Sequence, residues 1–493
     1  MNKFVKKHNF VLQRRWNLEL PTTIESCHVL IAQLLKIIET QSKQIDTLTL
    51  RVKELEARLN QNSKNSSQPP SRDIKSQKPG IPKEPKTLGG QKDHQGNTLR
   101  QVSHPDSIIE LTTPKCSCGL FLDKSKGLVV QICQEFDLPE PKLHVTEYRR
   151  VEQQCICGLK HLAPLPAHIQ ASVQYGAGVR ALTVLLNNSC QLSYEKISTL
   201  FHDLFGYDLN ESTALSNNKI AYELLENTES FIKAQLLASE VVHFDETGLR
   251  VSDKRHWLHV SCNKLLTYLF VSTYRGKKAQ EGNHSILAKF KHWAVHDCYE
   301  TYFGFTQCSH AICNPHILRE LESQVEEGKL WAKQMQNFLL ELYKKTSKGT
   351  IPVQDIGLEK QKWLKQCNEA VKFEELILNA HQSTNKESPK KRGRKKRGKG
   401  LSLLDRLLKH SDALLAFAQF AAVPFSNNQA ERDVRPAKTK QKVAGCFRTL
   451  EGANRYARIQ GFISTCRKQN FNVFKELRAV CSERILYKVP FEC

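Results

Sequence analysis

Three short β-rich runs lie close together in a chain whose flanking segments have helical patterns. They are VVHFDETGLRV (241–251), RHWLHVSCN (255–263) and LLTYLFVSTYR (265–275), and polar turns separate them. Short β-branched and aromatic runs bounded by turn residues are typical of strands, so they predict an antiparallel meander. A helical pattern follows at 283–290, and a fourth strand is expected at 292–303. The order strand, strand, strand, helix, strand predicts an α/β domain embedded in large all-α parts.

Two aspartates are expected at strand ends. Asp245 would end the first strand and Asp297 the fourth. This strand order is that of a ribonuclease H-like fold, and if strands one and four are neighbours, the two carboxylates meet at one end of the sheet. Carboxylates that close repel each other unless a divalent cation such as Mg²⁺ lies between them. Glu431 is the candidate third ligand, because Ser426 or Asn427 can cap a helix with Glu431 in its first turns.

Cations follow this glutamate in the segment SNNQAERDVRPAKTK (426–440), where Pro436 predicts a kink or break in the helix. Those expected to face a phosphate backbone are Arg432, Arg435, Lys438 and Lys440. A second basic run, PKKRGRKKRGKG (389–400), contains eight Lys or Arg in twelve residues, which favours either phosphate binding or a solvated loop. Its candidate DNA contacts are Lys390, Lys391, Arg392 and Arg394.

The overall charge favours a polyanionic partner. The 493 residues include 73 Lys and Arg against 50 Asp and Glu, a formal charge of +23, and nucleic acid is the commonest partner of such a chain. The first 20 residues contain no apolar core of a secretory signal, and the longest apolar stretch, 413–425, is too short to span a bilayer. Sixteen cysteines in so long a chain fit a reducing cytoplasm without membrane association.

Residues 27–59 have the apolar spacing of a coiled coil. The seam consists of Ile31, Leu34, Ile38, Gln41, Ile45, Leu48, Val52, Leu55 and Leu59, with spacings of three and four residues. Gln41 is the polar seam position that can set register in a homodimer or higher oligomer. The alternative is an amphipathic helix packed on the chain's own core. A Pro-rich and then Gly-rich polar stretch, 60–110, follows as a linker.

Two clusters with the pattern CxCG lie within 111–165 and predict a zinc-binding module. The expected ligands are Cys116, Cys118, Cys155 and Cys157. Thiolates bind Zn²⁺ tetrahedrally, and each pair is followed by a turn-forming glycine, as in the knuckles of a zinc ribbon. Four free cysteines are the alternative.

Residues 170–237 have a helical pattern. Within them, a turn near Gly206 separates one helix from another that begins near Asn210 or Ser212. This is the layout of a helix-turn-helix, although helix pairs of this kind also occur in α-rich cores.

Several of these segments resemble, in order, the motifs of insertion sequence 66 family transposases, a bacterial group of DDE transposases. The most specific are LGGQKDHQGNTL (88–99) and NNQAERDVRP (427–436), and HFDETGLRV (243–251), VHDCY (295–299) and CNPHILREL (313–321) accompany them. The resemblance implies that Asp245, Asp297 and Glu431 are the catalytic triad. It assigns no role to His316 and Arg319, although both lie in a recurring family motif.

The resemblance also implies a domain order and a function. The DDE domain would comprise 238–325 and 426–465, with a helical insertion at 326–425 and a C-terminal helical element at 466–493. The expected activity is Mg²⁺- or Mn²⁺-dependent cleavage and transfer of double-stranded DNA at transposon ends and target, with accessory element-encoded proteins as further partners. Two alternatives remain: a ribonuclease H-like nuclease without strand transfer, and a DNA-binding regulator with a vestigial catalytic fold.

Overall fold

The computed structural model describes residues 23–59, 99–112, 114–123, 128–346, 353–384 and 397–482. The strands are β1 (Glu152–Gln154), β2 (Lys160–Leu162), β3 (Val241–Val251), β4 (Lys254–Cys262), β5 (Thr267–Ser272), β6 (Trp293–His296) and β7 (Ser309–Ile312). The helices are α1 (Ile24–Leu59), α2 (Ala177–Asn188), α3 (Tyr194–Phe205), α4 (Glu211–Leu224), α5 (Glu226–Ala238), α6 (Lys277–Gln280), α7 (Glu300–Phe303), α8 (Asn314–Glu326), α9 (Leu330–Thr346), α10 (Val353–Thr384), α11 (Lys399–Lys409), α12 (Ser411–Gln419), α13 (Asn428–Ala444), α14 (Leu450–Lys468) and α15 (Val473–Cys481). Most of the expected linker and the basic run up to residue 396 lie outside the described residues.

A five-stranded mixed sheet has the order β5-β4-β3-β6-β7. Strands β4 and β5 are antiparallel, whereas β6 is parallel to both β3 and β7. The first and fourth strands of the sheet are therefore neighbours, which is the arrangement that the carboxylate hypothesis requires. Strand β7 was not predicted, because its four residues are too few to show a period.

Strand β3 is longer than its sequence indicated. The prediction that Asp245 ends the strand is wrong, because β3 continues to Val251 before a tight turn at Ser252 and Asp253. Ser252 has a φ of 53°, which lets the chain reverse directly into β4. The helix expected at 283–290 is also shorter than predicted, since only a single 3₁₀ turn, Leu287–Lys289, forms there.

The chain divides by its contacts into two compact units, and the division falls inside β3, between Phe244 and Asp245. The first unit includes Ser239–Phe244 and Leu287–Gln429. Its core is an apolar cluster contributed by β6, β7 and helices α8 to α12. Trp363 of α10 is fully buried in this cluster, so the helical insertion packs on the β6–β7 part of the sheet.

The second unit includes α2 to α5, the segment Asp245–Ile286 and the chain from Ala430 onward. Apolar side chains of β3, β4 and β5 pack there against α13 and α14. Helix α14 approaches β5 so closely that a Cβ at Gly461 would lie 3.1 Å from the Thr267 carbonyl oxygen. A larger residue would push the strand and the helix apart by a few tenths of an ångström, so glycine favours this close crossing.

Helix α13 carries the glutamate motif and runs through Pro436 without a break. Of the expected kink or break, the break is wrong, although Pro436 has no N–H to donate to the carbonyl of Arg432, and a kink stays a prediction. The expectation that Glu431 lies in the first turn of the helix is confirmed.

Asn427, the residue before α13, is 1% exposed and links this part of the chain to β3. Its Nδ2 donates to the Phe244 carbonyl oxygen at 2.8 Å, and its Oδ1 lies 2.8 Å from His243 Nδ1. Because Oδ1 can only accept, His243 donates from Nδ1. The backbone N–H of Asn427 donates to Cys313 Sγ at 3.1 Å. Three buried bonds thus fix the chain where α13 begins.

We predict that Asn427→Ala lowers the free energy of unfolding by about 1–3 kcal/mol, because it removes the buried hydrogen bonds to His243 and to the Phe244 carbonyl. Urea denaturation followed by circular dichroism measures the change. Asn428→Ala is the matched control, since Asn428 is exposed, and it should stay within about 0.5 kcal/mol of wild type. Equal effects of the two substitutions would contradict the prediction.

Candidate active site and nucleic-acid interface

Asp245 and Asp297 occupy matching positions on two neighbouring parallel strands. The pairing of β3 with β6 aligns Val241 with Trp293 and His243 with Val295. Asp245 follows the last aligned residue of β3 by two positions, and Asp297 follows that of β6 by two. Both side chains are half-buried. Neighbouring parallel strands have their carboxyl ends at the same edge of a sheet, where α/β folds bind ligands.

Local hydrogen bonds orient each aspartate. Asp245 Oδ1 accepts from the backbone N–H of Glu246 at 2.8 Å, and Asp297 Oδ1 accepts from that of Tyr299 at 3.0 Å. The second bond is a turn between β6 and α7 in which the aspartate bonds to the residue two positions on. One oxygen of each carboxylate is thereby directed by the backbone next to it.

His296, directly before Asp297, is fully buried. Burial lowers the pKa of His296 to about 3, so the ring is neutral at physiological pH. Its Nε2 lies 3.0 Å from His310 Nδ1, and its Nδ1 contacts the Asp297 carbonyl oxygen. The neutral ring therefore ties the end of β6 to β7 without adding charge beside Asp297.

Glu431 is half-buried in the first turn of α13, and a second buried network lies two residues further along the helix. Asp433 is 8% exposed, and its Oδ2 lies 2.6 Å from Lys468 Nζ. Thr267 and Ser464 also donate to this carboxylate, each at 3.1 Å. Asp433 therefore connects α13 with α14 and β5.

Glu246, next to Asp245, has a different role from its neighbour. Its side chain is 2% exposed and its Oε1 accepts from Arg275 Nε at 2.8 Å. Successive side chains of a strand point to opposite faces, so the acidic pair does not act together. Arg275 lies 29 positions away, and no sequence signal linked it to Glu246.

His316 and Arg319 lie three residues apart near the start of α8, and both are half-buried. Residues three apart share a helix face. Their function stays unassigned.

Arg432 and Arg435 are exposed on α13, and so are Lys438 and Lys442. The basic side chains Lys390, Lys391, Arg392 and Arg394 lie outside the described residues. Of the four predicted DNA contacts on this helix, Arg432, Arg435 and Lys438 are therefore accessible.

Two predicted DNA contacts are instead bonded to backbone carbonyls. Lys438 Nζ donates to the Gly248 carbonyl at 2.6 Å, and Lys440 Nζ donates to that of Asn187 at 2.8 Å. Burial lowers the pKa of Lys440 to about 8, which reduces its charge near neutral pH. Lys440 is thus poorly suited to phosphate binding.

The two CxCG motifs form the same turn. Cys116 N–H donates to the Leu120 carbonyl and Cys155 N–H to that of Leu159, each at 2.8 Å. The following glycines, with φ of 94° and 89°, adopt the left-handed conformation that this turn requires. The second turn closes the hairpin of β1 and β2.

The cysteine pairs have part of the chemistry of a zinc site. Hydrogen bonds from the backbone and then the side chain of Cys118 lower the pKa of Cys116, and Cys157 does the same for Cys155. A lowered pKa favours the thiolate that binds metal. Among the described residues, however, no three of the four sulfurs lie within 4.8 Å of one another. The structure forms the two turns and does not bring them together.

The predicted helix pair at 192–225 is present. Ser193 caps α3, Gly206 ends it with a φ of 68°, and Asn210 caps α4. Helix α4 packs against α2, α3, α14 and α15. Its exposed polar side chains include two carboxylates and one ammonium group: Glu211, Ser212, Ser216, Lys219 and Glu223. This surface gives phosphates little attraction, and major-groove binding by α4 stays a prediction.

Helix α1 is exposed along its described length, the predicted seam included. Seven apolar side chains are each 41–65% exposed: Ile31, Leu34, Ile38, Ile45, Leu48, Val52 and Leu55. The alternative, a helix packed on the chain's own core, would bury them. Within the described ranges, no helix combines the length and apolarity needed to cross a bilayer.

Comparison with known proteins gives two family matches. The model of the transposase IS66 family matches residues 172–455, and that of a family of unknown function (DUF6444) matches residues 19–100. A search of the curated proteins found no match. The first model covers more than half of the chain and includes all three candidate carboxylates, so the resemblance is confirmed. The chain belongs to the IS66 family of transposases.

Proposed function

We propose that the chain binds the ends of an insertion sequence and carries out Mg²⁺- or Mn²⁺-dependent DNA cleavage and strand transfer on a ribonuclease H-like domain. Asp245, Asp297 and Glu431 are the proposed metal ligands. The observation that carries this proposal is the parallel register of β3 and β6, which gives both aspartates equivalent positions. The strand order supports it, because parallel first and fourth strands are what the ribonuclease H-like hypothesis requires.

The three carboxylates fit a hard divalent ion, since Mg²⁺ prefers oxygen ligands and keeps waters for a phosphate substrate. When bound, such ions supply Lewis acidity that activates an attacking hydroxyl and stabilises the leaving oxygen of an in-line displacement. The chain's own part is positioning. The buried bonds of Asn427 and Asp433 fix the chain on either side of Glu431.

We predict that Asp245→Asn, Asp297→Asn and Glu431→Gln each reduce Mg²⁺-dependent nicking and end joining by about 100-fold or more, because each removes a charged ligand without changing its size. A strand-transfer assay with duplexes carrying the native element ends measures both steps. Asp253→Asn is the matched control, because Asp253 is an exposed carboxylate in the turn after β3.

The outcomes separate the competing functions. Undiminished cleavage by Asp245→Asn would contradict the proposed site. Cleavage without joining would identify a nuclease. Specific binding of the ends without metal-dependent cleavage would identify a DNA-binding regulator.

We further propose that Cys116, Cys118, Cys155 and Cys157 bind one structural Zn²⁺. The two equivalent turns support this, since they present paired thiolates in the same way. One ion bound by both turns would bring the four sulfurs together, as in domains whose folding is coupled to metal binding.

We predict that the purified chain contains one Zn²⁺ and that Cys116→Ser or Cys155→Ser lowers the zinc content to less than about half, because zinc sites need all four ligands. Elemental analysis after dialysis measures the content. Cys190→Ser is the control, because Cys190 is exposed and outside both motifs. Equal zinc content in all three variants would exclude these ligands.

We also propose that α1 associates with a second copy through its apolar seam. Replacing Ile45 and Leu48 by Glu should reduce the mass in sedimentation equilibrium to that of a monomer, because charges would enter the buried seam. Adding the same charges on the outer face of the helix, through Gln33→Glu and Thr40→Glu, should leave the oligomer intact, because both residues are exposed and lie away from the seam and its flanks. A monomeric wild-type chain would contradict the proposal.

Accessory element-encoded proteins stay a prediction from the resemblance.

A further inference from the structure

Two guanidinium groups stack on one indole in the second unit. The Cζ atom of Arg255 lies 4.6 Å from the ring centroid of Trp257, and that of Arg275 lies 5.0 Å from it. Trp257 is half-buried in β4, whereas both arginines are exposed. Cation–π contacts of this kind hold guanidinium groups in place at a surface.

The second arginine is also fixed by the buried carboxylate of Glu246, which accepts from Arg275 Nε. The Arg275 side chain is 42% exposed, so it reaches solvent while this bond is made. Glu246 compensates one positive charge of the pair. Glu246 directly follows Asp245 in β3, so the carboxylate that binds Arg275 lies on the strand that carries the proposed metal ligand.

A third cation joins the group at Gly248. Lys438 Nζ donates to the Gly248 carbonyl, and a Cβ at Gly248 would lie 3.3 Å from Arg255 Nη2. Burial, with the positive charge of Arg255, lowers the pKa of Lys438. Within the part of the chain that the structure describes, no carboxylate lies in ion-pair distance of Arg255 or Lys438. Two like charges are therefore held together without a counter-ion from the protein.

We propose that Arg255, Trp257, Arg275 and Lys438 form a binding surface for the phosphate backbone of DNA. We call this group the arginine–tryptophan surface. Three cations and one buried carboxylate leave an excess of positive charge. The planar guanidinium group matches the two oxygens of a phosphate, and the indole keeps the guanidinium plane from reorienting. The proposal rests on the proposed function, because the phosphates are those of the DNA on which the Asp245 site would act.

Arg255→Ala is the most direct test. Arg275→Ala would remove a charged partner of the buried Glu246 carboxylate, whereas Arg255 is exposed and its loss should leave folding intact. Lys254→Ala is the matched control, since it removes the same charge from the neighbouring exposed position, whose side chain points to the other strand face. Thermal unfolding of both full-length variants checks that they are folded.

The probe is a fluorescein-labelled duplex of about 30 base pairs and arbitrary sequence, titrated by anisotropy in EDTA over a series of NaCl concentrations. We expect Arg255→Ala to weaken binding about threefold to tenfold and to reduce the slope of log K against log salt by about 1, because one phosphate contact is lost. Lys254→Ala should change neither quantity by more than about twofold. An unchanged slope in Arg255→Ala, or equal losses in the two variants, would overturn the proposal.

The assay needs no metal, so it distinguishes this proposal from the proposed function. Loss of cleavage in Asp245→Asn together with an unchanged slope in Arg255→Ala would support the active site and overturn the arginine–tryptophan surface. If the slope is reduced in Arg255→Ala and the wild-type chain cleaves no DNA, these results would support the surface and overturn the catalytic assignment.

Discussion

The parallel pairing of β3 with β6 is the contact on which the candidate site depends. Val241 and Trp293 start this pairing, and Asp245 and Asp297 follow it at the same interval. A shift of the register by one residue would turn one aspartate to the other face of the sheet. Both faces of the paired segments are packed, as the full burial of Val242, Ala294 and Val295 shows, so such a shift would disrupt this packing.

The third carboxylate depends on a different kind of contact. Helix α13 is held by buried polar networks at Asn427 and Asp433, on either side of Glu431. A buried ion pair such as Asp433–Lys468 contributes little net stability, because desolvation offsets the attraction, but breaking it by removing one partner is costly. Such contacts specify the position of the helix and add little to the stability of the fold. This suits a site in which a carboxylate from a distant segment has to reach a defined place.

The sequence predicted those features that local patterns determine. The β-branched runs indicated β3, β4 and β5, and the cap position before α13 placed Glu431 in the first turn. The polar segment DETG resembled a strand end, yet β3 continues through it because Leu249 and Val251 are buried beyond. Long-range partners had no local signal: His243 and Asn427 are 184 residues apart. For the same reason the bond from Lys440 to Asn187 was missed, and the lysine was expected to face phosphate.

We propose that Asp245, Asp297 and Glu431 bind divalent metal together. Crystals of the full chain grown with Mn²⁺ can be measured at a wavelength with anomalous signal from manganese. We expect an anomalous peak with oxygen atoms of Asp245 and Asp297 at about 2.2 Å and Glu431 completing a coordination shell. A peak held only by other residues, or none at saturating Mn²⁺, would contradict it.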